Sequence, residues 1–368
     1  MATVEVIEYP VPTSASTPSG IALGSDGNLW FCEGDGNKIG VITPQGVVIH
    51  EYPIPTSNAG ALNIALGPDG NMWFTENGAD QIGKITPGGT ITEYPIPTMN
   101  AEPIQITLGA DGRMWFTEST GHNIGAITTL GTITQYALNG SDNPYGITLG
   151  SDGNVWFTIP NTNQIGKITP VGMITYFPTG GPSPVSIATG SDGNLWITSS
   201  SNNEIFVMTT AGAVIHQYPI PTPGAFPFEI VLGSDGNMWF TELDGNQIGT
   251  ITLTGSVTEY PVPTPASQPF GITVAENGSI WFTENVGNNI GTLINVITPD
   301  LASPQDLTVH QKKNDSGFVY EFFNVIKWKE NPLSSPVVGF NIYRNGTLIA
   351  TVGPDTFKYK DHNRPRNA

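Results

Sequence analysis

Seven tryptophans, Trp30, Trp73, Trp115, Trp156, Trp196, Trp239 and Trp281, recur at spacings of 43, 42, 41, 40, 43 and 42 residues. A period of that length restricts the chain to repeat architectures. Each unit reads approximately Gly-Ile-Thr-Leu-Gly-Ser-Asp-Gly-Asn-Met-Trp-Phe-Thr-Glu, then Asn-Gln-Ile-Gly-Lys-Ile-Thr, then Thr-Ile-Thr-Glu-Tyr-Pro-Ile-Pro-Thr. Four strands fit into it. Asp-Gly (Asp26-Gly27, Asp69-Gly70, Asp152-Gly153, Asp235-Gly236) turns the first into the second, and Pro87-Gly88-Gly89 illustrates the turn between the third and fourth. With 44 Gly, 31 Pro and 12% charged residues, many short strands and tight turns are expected rather than long helices. Four-stranded units of about forty residues are the size of propeller blades. The chain is therefore expected to be all-β, a seven-bladed β-propeller over residues 1–298. The neighbours Leu29/Phe31 and Met72/Phe74 make the tryptophan segment a core strand rather than a carbohydrate platform. Each buried indole removes about 150–250 Å² from water, worth at most on the order of 4–6 kcal/mol.

Ring closure is also written in the chain. The seventh unit runs through Asn289-Ile290-Gly291-Thr292-Leu293 without a following Glu-Tyr-Pro-Val-Pro strand, and that strand stands at the other end, as Glu8-Tyr9-Pro10-Val11-Pro12. The N-terminal strand is expected to complete the last blade and remove exposed sheet edges. Past Ile297 the repeat stops. Residues 299–304 read as a linker. The segments 304–309, 325–328, 338–346 and 347–350 resemble the early strands of a fibronectin type III sandwich, with Trp328 as its core tryptophan. Such a domain needs about seven strands, so residues 305–368 are expected to be a partial β-sandwich, truncated or completed by a partner.

Charge divides unevenly. Residues 299–368 hold 9 of the 13 Lys and Arg and 7 of the 31 Asp and Glu, leaving 4 basic and 24 acidic residues in the first 298, a formal charge of −20. That surface repels phosphate backbones and anionic membranes and favours cationic groups. No segment reads as a leader or a membrane span, so a soluble chain with no membrane insertion is expected. The lone cysteine, Cys32, permits no internal disulfide; it stands where sister units carry Thr75 and Thr117, and reads as an inert buried thiol.

The motifs Gly-Asn-Met-Trp-Phe-Thr-Glu, Asn-Gln-Ile-Gly-Lys-Ile-Thr-Pro and Ile-Thr-Glu-Tyr-Pro-Ile-Pro-Thr resemble the virginiamycin B lyase (streptogramin lyase) family of seven-bladed propellers over residues 1 to about 298. The resemblance implies a Mg²⁺-dependent lyase that opens a cyclic depsipeptide antibiotic by elimination at its ester. It also implies histidines in Pro-His-x-Ile at the start of a blade's first strand, with supporting glutamates before that Pro and at the end of the Trp-Phe strand. Here the histidine position reads Ser19, Leu62, Ile104, Tyr145, Val185, Phe228 and Phe270. Elimination needs a base for the proton beside the carbonyl and an acid or metal at the leaving oxygen, and these positions supply no imidazole.

Other candidates remain. Glu33, Glu76, Glu118, Glu242 and Glu284 end five Trp-Phe strands, where blades four and five have Ile159 and Ser199; they read either as a partial carboxylate ring for a hard cation or as a repeated exposed strand-end residue. Blade three is densest: Glu102 matches the family's Glu-Pro, and Glu118 and His122 follow, giving a candidate catalytic trio with Glu118 and Glu76 as metal ligands. Against this, His122 fills a turn position held by Asn37, Asp80, Asn246 and Asn288 elsewhere. His50 and His216 read as solvated rim residues. Tyr145, Phe228 and Phe270, with Glu242 and Glu284, form a candidate mouth for an aromatic, peptide or sugar group carrying positive charge; equally, the rings plug the channel. Two functions follow. One is a non-catalytic binding or scaffold propeller taking a small molecule, peptide, glycan or protein partner, monomeric unless the C-terminal domain assembles it, and secreted or displayed at the cell surface. The other is a divergent Mg²⁺-dependent lyase.

Overall fold

The computed structural model describes residues 3–181 and 183–296 and, beyond them, five strands between 305 and 361. Two compact units are distinguished, 6–294 and a second comprising 1–5 with 295–368. The first contains the ring: seven four-stranded antiparallel sheets, each with its strands in chain order except the last. Blade one is representative, with strands Pro18–Leu23, Leu29–Glu33, Lys38–Ile42 and Val48–Pro53. One short 3-10 turn, Pro160–Thr162, is the only helical element among the described residues.

The repeat explains itself in contacts. Asp lies four residues before Trp, across the tight turn, so the Trp73 Nε1–H donates to Asp69 Oδ1 at 3.0 Å, and the same bond forms in six blades. In blade seven Asn277 replaces the Asp, and the Trp281 indole donates to Ser279 Oγ at 2.9 Å. Burial would raise the Asp69 carboxyl, but hydrogen bonds from Trp73 and Asn71 together hold it below its ordinary value. Each indole also stacks on a fourth-strand ring, as Trp73 on Tyr94 at 5.7 Å and Trp156 on Phe177 at 5.3 Å. Six of the seven tryptophans are at most 2% exposed and Trp239 is 9% exposed, so the belt of indoles is a core feature.

Closure follows the expected route. Thr3–Pro10 is the fourth strand of blade seven, beside Asn289–Val296. Tyr9 stacks on Trp281 at 5.8 Å, the place taken in every other blade by its own fourth-strand ring. Glu8 accepts from Thr264 N and Oγ1 at 2.7 and 2.9 Å, repeating the bonds from Thr56 N to Glu93 and from Thr222 N to Glu259 that tie those fourth strands to the preceding blade.

In blades one, two, three, six and seven a β-bulge interrupts the first strand directly after its opening residue. Bulges re-aim side chains, and in blades two, three and six the two residues set free, Leu62/Asn63, Ile104/Gln105 and Phe228/Glu229, line the mouth and the bore. A buried second-strand threonine fixes the bulge: Thr117 Oγ1 accepts the N–H of Gln105 at 3.1 Å and donates to the carbonyl of Tyr145 in the next blade at 2.9 Å. Six blades carry this hydroxyl. Cys32 replaces it in blade one, fully buried, its thiol pushed well above the usual range by burial.

In the second unit, Gln305–Asp315, Tyr320–Lys329 and Lys358–Asp361 form a three-stranded sheet in that order, and Phe340–Arg344 pairs with Thr347–Val352. The expected linker 299–304 lies outside the described residues.

Candidate functional site

The first strands begin at one end of the ring, where their opening residues form the mouth. Tyr145 and Phe228 meet edge to face at 6.0 Å between centroids, and Phe228 and Phe270 lie 4.4 Å apart. The three sequence-predicted rings therefore come together, with Leu62 and Ile104 beside them. They close the bore as an apolar floor: Phe228 is 9% exposed, while Tyr145 and Phe270 keep an open face. Sequence reasoning missed Phe226. It stands two residues before Phe228, 37% exposed, with φ at +56°. A bulky side chain in the left-handed region costs on the order of 1–3 kcal/mol. Thr17, Glu102 and Gln268 share that conformation at the equivalent position, directly before the first-strand proline, so the rim is strained in several blades.

The strand-end glutamates lie elsewhere than an exposed ring. Glu33, Glu76, Glu118, Glu242 and Glu284 are all 0% exposed. They are enclosed within the upper part of their blades, facing the fourth strand. Burial and the facing Glu93 push the Glu76 carboxyl up to about 8, and burial with Glu259 does the same to Glu242. Burial, opposed by an amide bond from Asn289 and reinforced by Glu8, brings Glu284 to about 7. Neither oxygen of Glu76 or Glu242 meets a hydrogen-bond partner, which suits a neutral acid better than an anion. Glu242 and Glu284, expected at the mouth, thus present no surface there. The signal that could have placed them is the run of apolar neighbours that makes the entire second strand buried.

The blade-three trio is separated by its partners. Glu118 is held by Gln135 Nε2 at 2.7 and 2.8 Å and Asn123 Nδ2 at 3.0 Å; burial raises its carboxyl while those amides oppose the rise. Glu102 is exposed and accepts from Thr120 Oγ1. His122 has φ at +53° and its Nδ1 lies 3.0 Å from the carbonyl of Asp142, matching the turn role its position suggests. No hydrogen bond joins the three among the described residues. Nor do the described residues contain a group of three or more His, Cys, Asp or Glu able to hold a metal ion. Glu118 and Glu76 sit in different blades, each enclosed by its own, so the donor set does not fit the Mg²⁺ that the resemblance implies. His50 and His216 stack on Tyr52 and Tyr218 at 5.2 and 5.5 Å.

Directly below the rings is a layer the sequence reading passed over. Glu229 Oε1 receives Asn63 Nδ2 and Gln105 Nε2, both at 3.3 Å. Blade six thereby reaches blades two and three across the bore. Each of these side chains also takes the N–H of the next blade's isoleucine: Asn63 Oδ1 from Ile106, Gln105 Oε1 from Ile147, Glu229 Oε2 from Ile272, at 3.1, 3.1 and 3.0 Å. Glu229 is half-buried and lines the bore, and burial pushes its carboxyl up to about 7.

The virginiamycin B lyase family model matches residues 1–143 and 104–301. A solved streptogramin B lyase is 39% identical, covering 79% of this chain and 97% of its own, with a TM-score of 0.75. Selenomethionine-substituted virginiamycin B lyase from Staphylococcus aureus is 38% identical over 79% and 99%, with the same TM-score. A catalytically inactive histidine-to-alanine variant of that enzyme, solved with quinupristin, is 37% identical over 79% and 99%, again at 0.75. By a match that runs through every blade, the chain belongs to the virginiamycin B lyase family.

Proposed function

We propose that this protein is a non-catalytic binding propeller of its family, recognising an aromatic or peptide group at the mouth floored by Tyr145, Phe228 and Phe270. The observation that carries the reading is the contact among those rings at the positions where the family's Pro-His motif would place imidazoles, with the strained, exposed Phe226 at the rim. Stacking on aromatic faces supplies affinity without a proton-transfer group, whereas elimination requires one. In the Staphylococcus aureus relative, one histidine-to-alanine change leaves a catalytically inactive protein; this chain has no histidine at any of the seven motif positions. The formal charge of −20 on residues 1–298 favours a ligand with positive charge. The C-terminal strands serve as an appended fibronectin type III-like unit, and the whole is exported or displayed. Family membership favours a second reading, a divergent Mg²⁺-dependent lyase using Glu102, Glu118 and His122.

Calorimetric titration of quinupristin tests the binding reading. Saturable binding that weakens at least ~10-fold in the Tyr145→Ala/Phe226→Ala variant is expected, the usual effect of removing central aromatic anchors. A titration without saturation, or one indifferent to both substitutions, contradicts it.

A further inference from the structure

The layer beneath the aromatic floor is a site of a different kind. Among the described residues, Glu229 is the one carboxylate that lines the bore. It is served by two amides and a backbone N–H but by no counter-charge. All four basic residues of the propeller are committed elsewhere. Lys38 pairs with Glu51 at 3.2 Å, Arg113 binds Asp111 at 2.6 Å, Lys84 lies 5.1 Å over Trp73, and Lys167 lies 5.0 Å over Trp156 near Asp152. The titratable groups that sense Glu229, the Tyr145 phenol and the Cys32 thiol, are both pushed upward by burial and stay neutral. On the side of Glu229 away from the mouth the bore widens into a cavity of about 200 Å³, lined by Glu229, Asn63, Gln105, Thr148 and Ser186 and by one isoleucine from each blade. That volume equals roughly six or seven waters at liquid density.

A half-buried carboxylate with amide donors alone, above a sleeve that mixes seven isoleucines with Thr148 and Ser186, is complementary to a compact cation with a short apolar tail. Burial without a counter-charge is costly, and a cation that brings one offsets that cost. We propose that the bore below the aromatic floor binds a small primary ammonium, its head paired with Glu229 and its short alkyl chain lying along the isoleucine sleeve. Asn63 and Gln105 already direct their oxygens to backbone N–H groups, which leaves Glu229 as the charged acceptor for the ammonium, with the Thr148 and Ser186 hydroxyls lining the cavity beside it. This site is separate from the mouth reading, since the rings of Tyr145, Phe228 and Phe270 stand between the two.

The test is calorimetry of n-butylammonium chloride with the full chain, using tetramethylammonium as a comparison. Saturable one-to-one binding of n-butylammonium is expected at pH 8, about tenfold weaker at pH 6, the ratio for a carboxyl titrating near 7. Tetramethylammonium, with no N–H to donate, should bind at least ~10-fold more weakly. In Glu229→Gln, whose amide oxygen keeps the bond from Ile272 N, binding should vanish. Should that variant fold poorly, Thr148→Leu narrows the cavity without touching the carboxyl and should abolish binding with an unchanged melt. Absence of binding at pH 8, equal affinity at both pH values, or full binding in a folded Glu229→Gln protein overturns the proposal. Quinupristin titrated in parallel reports on the mouth, so the two sites fail independently.

Discussion

The blade interiors and the bore are drawn from the same repeat, but they have diverged unequally. Inside the sheets, one set of bonds recurs: indole to turn Asp in six blades, indole on fourth-strand ring in all seven, threonine to the next blade's carbonyl in six. Along the axis, the position below the mouth reads Gly20, Asn63, Gln105, Gly146, Ser186, Glu229 and Gly271. The physical reason is neighbourhood. An interior side chain meets the same partners in every blade, so any departure leaves a cavity or an orphaned polar atom. A bore side chain meets partners that differ from blade to blade, and close backbone approach holds some positions to glycine: a Cβ on Gly20 would lie 2.6 Å from Asn63 Cα, and one on Gly271 2.3 Å from the Ser19 carbonyl. The interior therefore carries stability and family, and the bore carries what is particular to this protein.

Three changes to the chain probe that contrast, in decreasing order of effect. Deleting residues 1–13 removes a whole strand from blade seven with its Tyr9–Trp281 stack and Glu8–Thr264 bonds. The melting temperature should fall on the order of 10 °C or more, and an unchanged melt would break the claim that all seven blades are equivalent. Next, the buried acids link the interior to pH. Glu76 and Glu242 have folded values of about 8 against an ordinary 4.5. A raised folded value means that the stabilisation is complete below the unfolded value and is lost as pH rises through the folded one. Melting temperature should fall between pH 5 and pH 9, and Glu76→Gln/Glu242→Gln should lose part of that slope; a flat profile in the parent would remove these acids from the account. Smallest is Cys32→Thr, which supplies the missing seventh hydroxyl. It should stabilise by about 0.5–1.5 kcal/mol, the net worth of one buried hydrogen bond, read from denaturant midpoints; destabilisation would mean blade one is packed differently from its sisters.

Much of the frame was legible because it is periodic. Trp30 and its six counterparts fixed the blade number, and Glu8-Tyr9-Pro10 identified the closing strand, since each motif recurs often enough for a missing copy to be noticed. The mouth rings were legible for the same reason, as replacements at a known position. Burial of Glu76 and its counterparts was not, because a charged residue at a strand end normally faces water, and only the packing of the fourth strand above it decides otherwise. Glu229 escaped notice because a one-residue bulge moves it into the bore beside Phe228, and bulges leave no mark in the spacing. Phe226 was hidden by backbone: nothing in Ala-Phe-Pro-Phe announces a left-handed phenylalanine.

The central claim is that the family frame is kept here without its proton-transfer groups. Incubation of the purified chain with quinupristin and Mg²⁺, followed by mass spectrometry for the ring-opened depsipeptide, addresses it most directly. The account predicts intact cyclic quinupristin at every time point. Linear product that depends on Mg²⁺ and disappears in Glu118→Ala would contradict it.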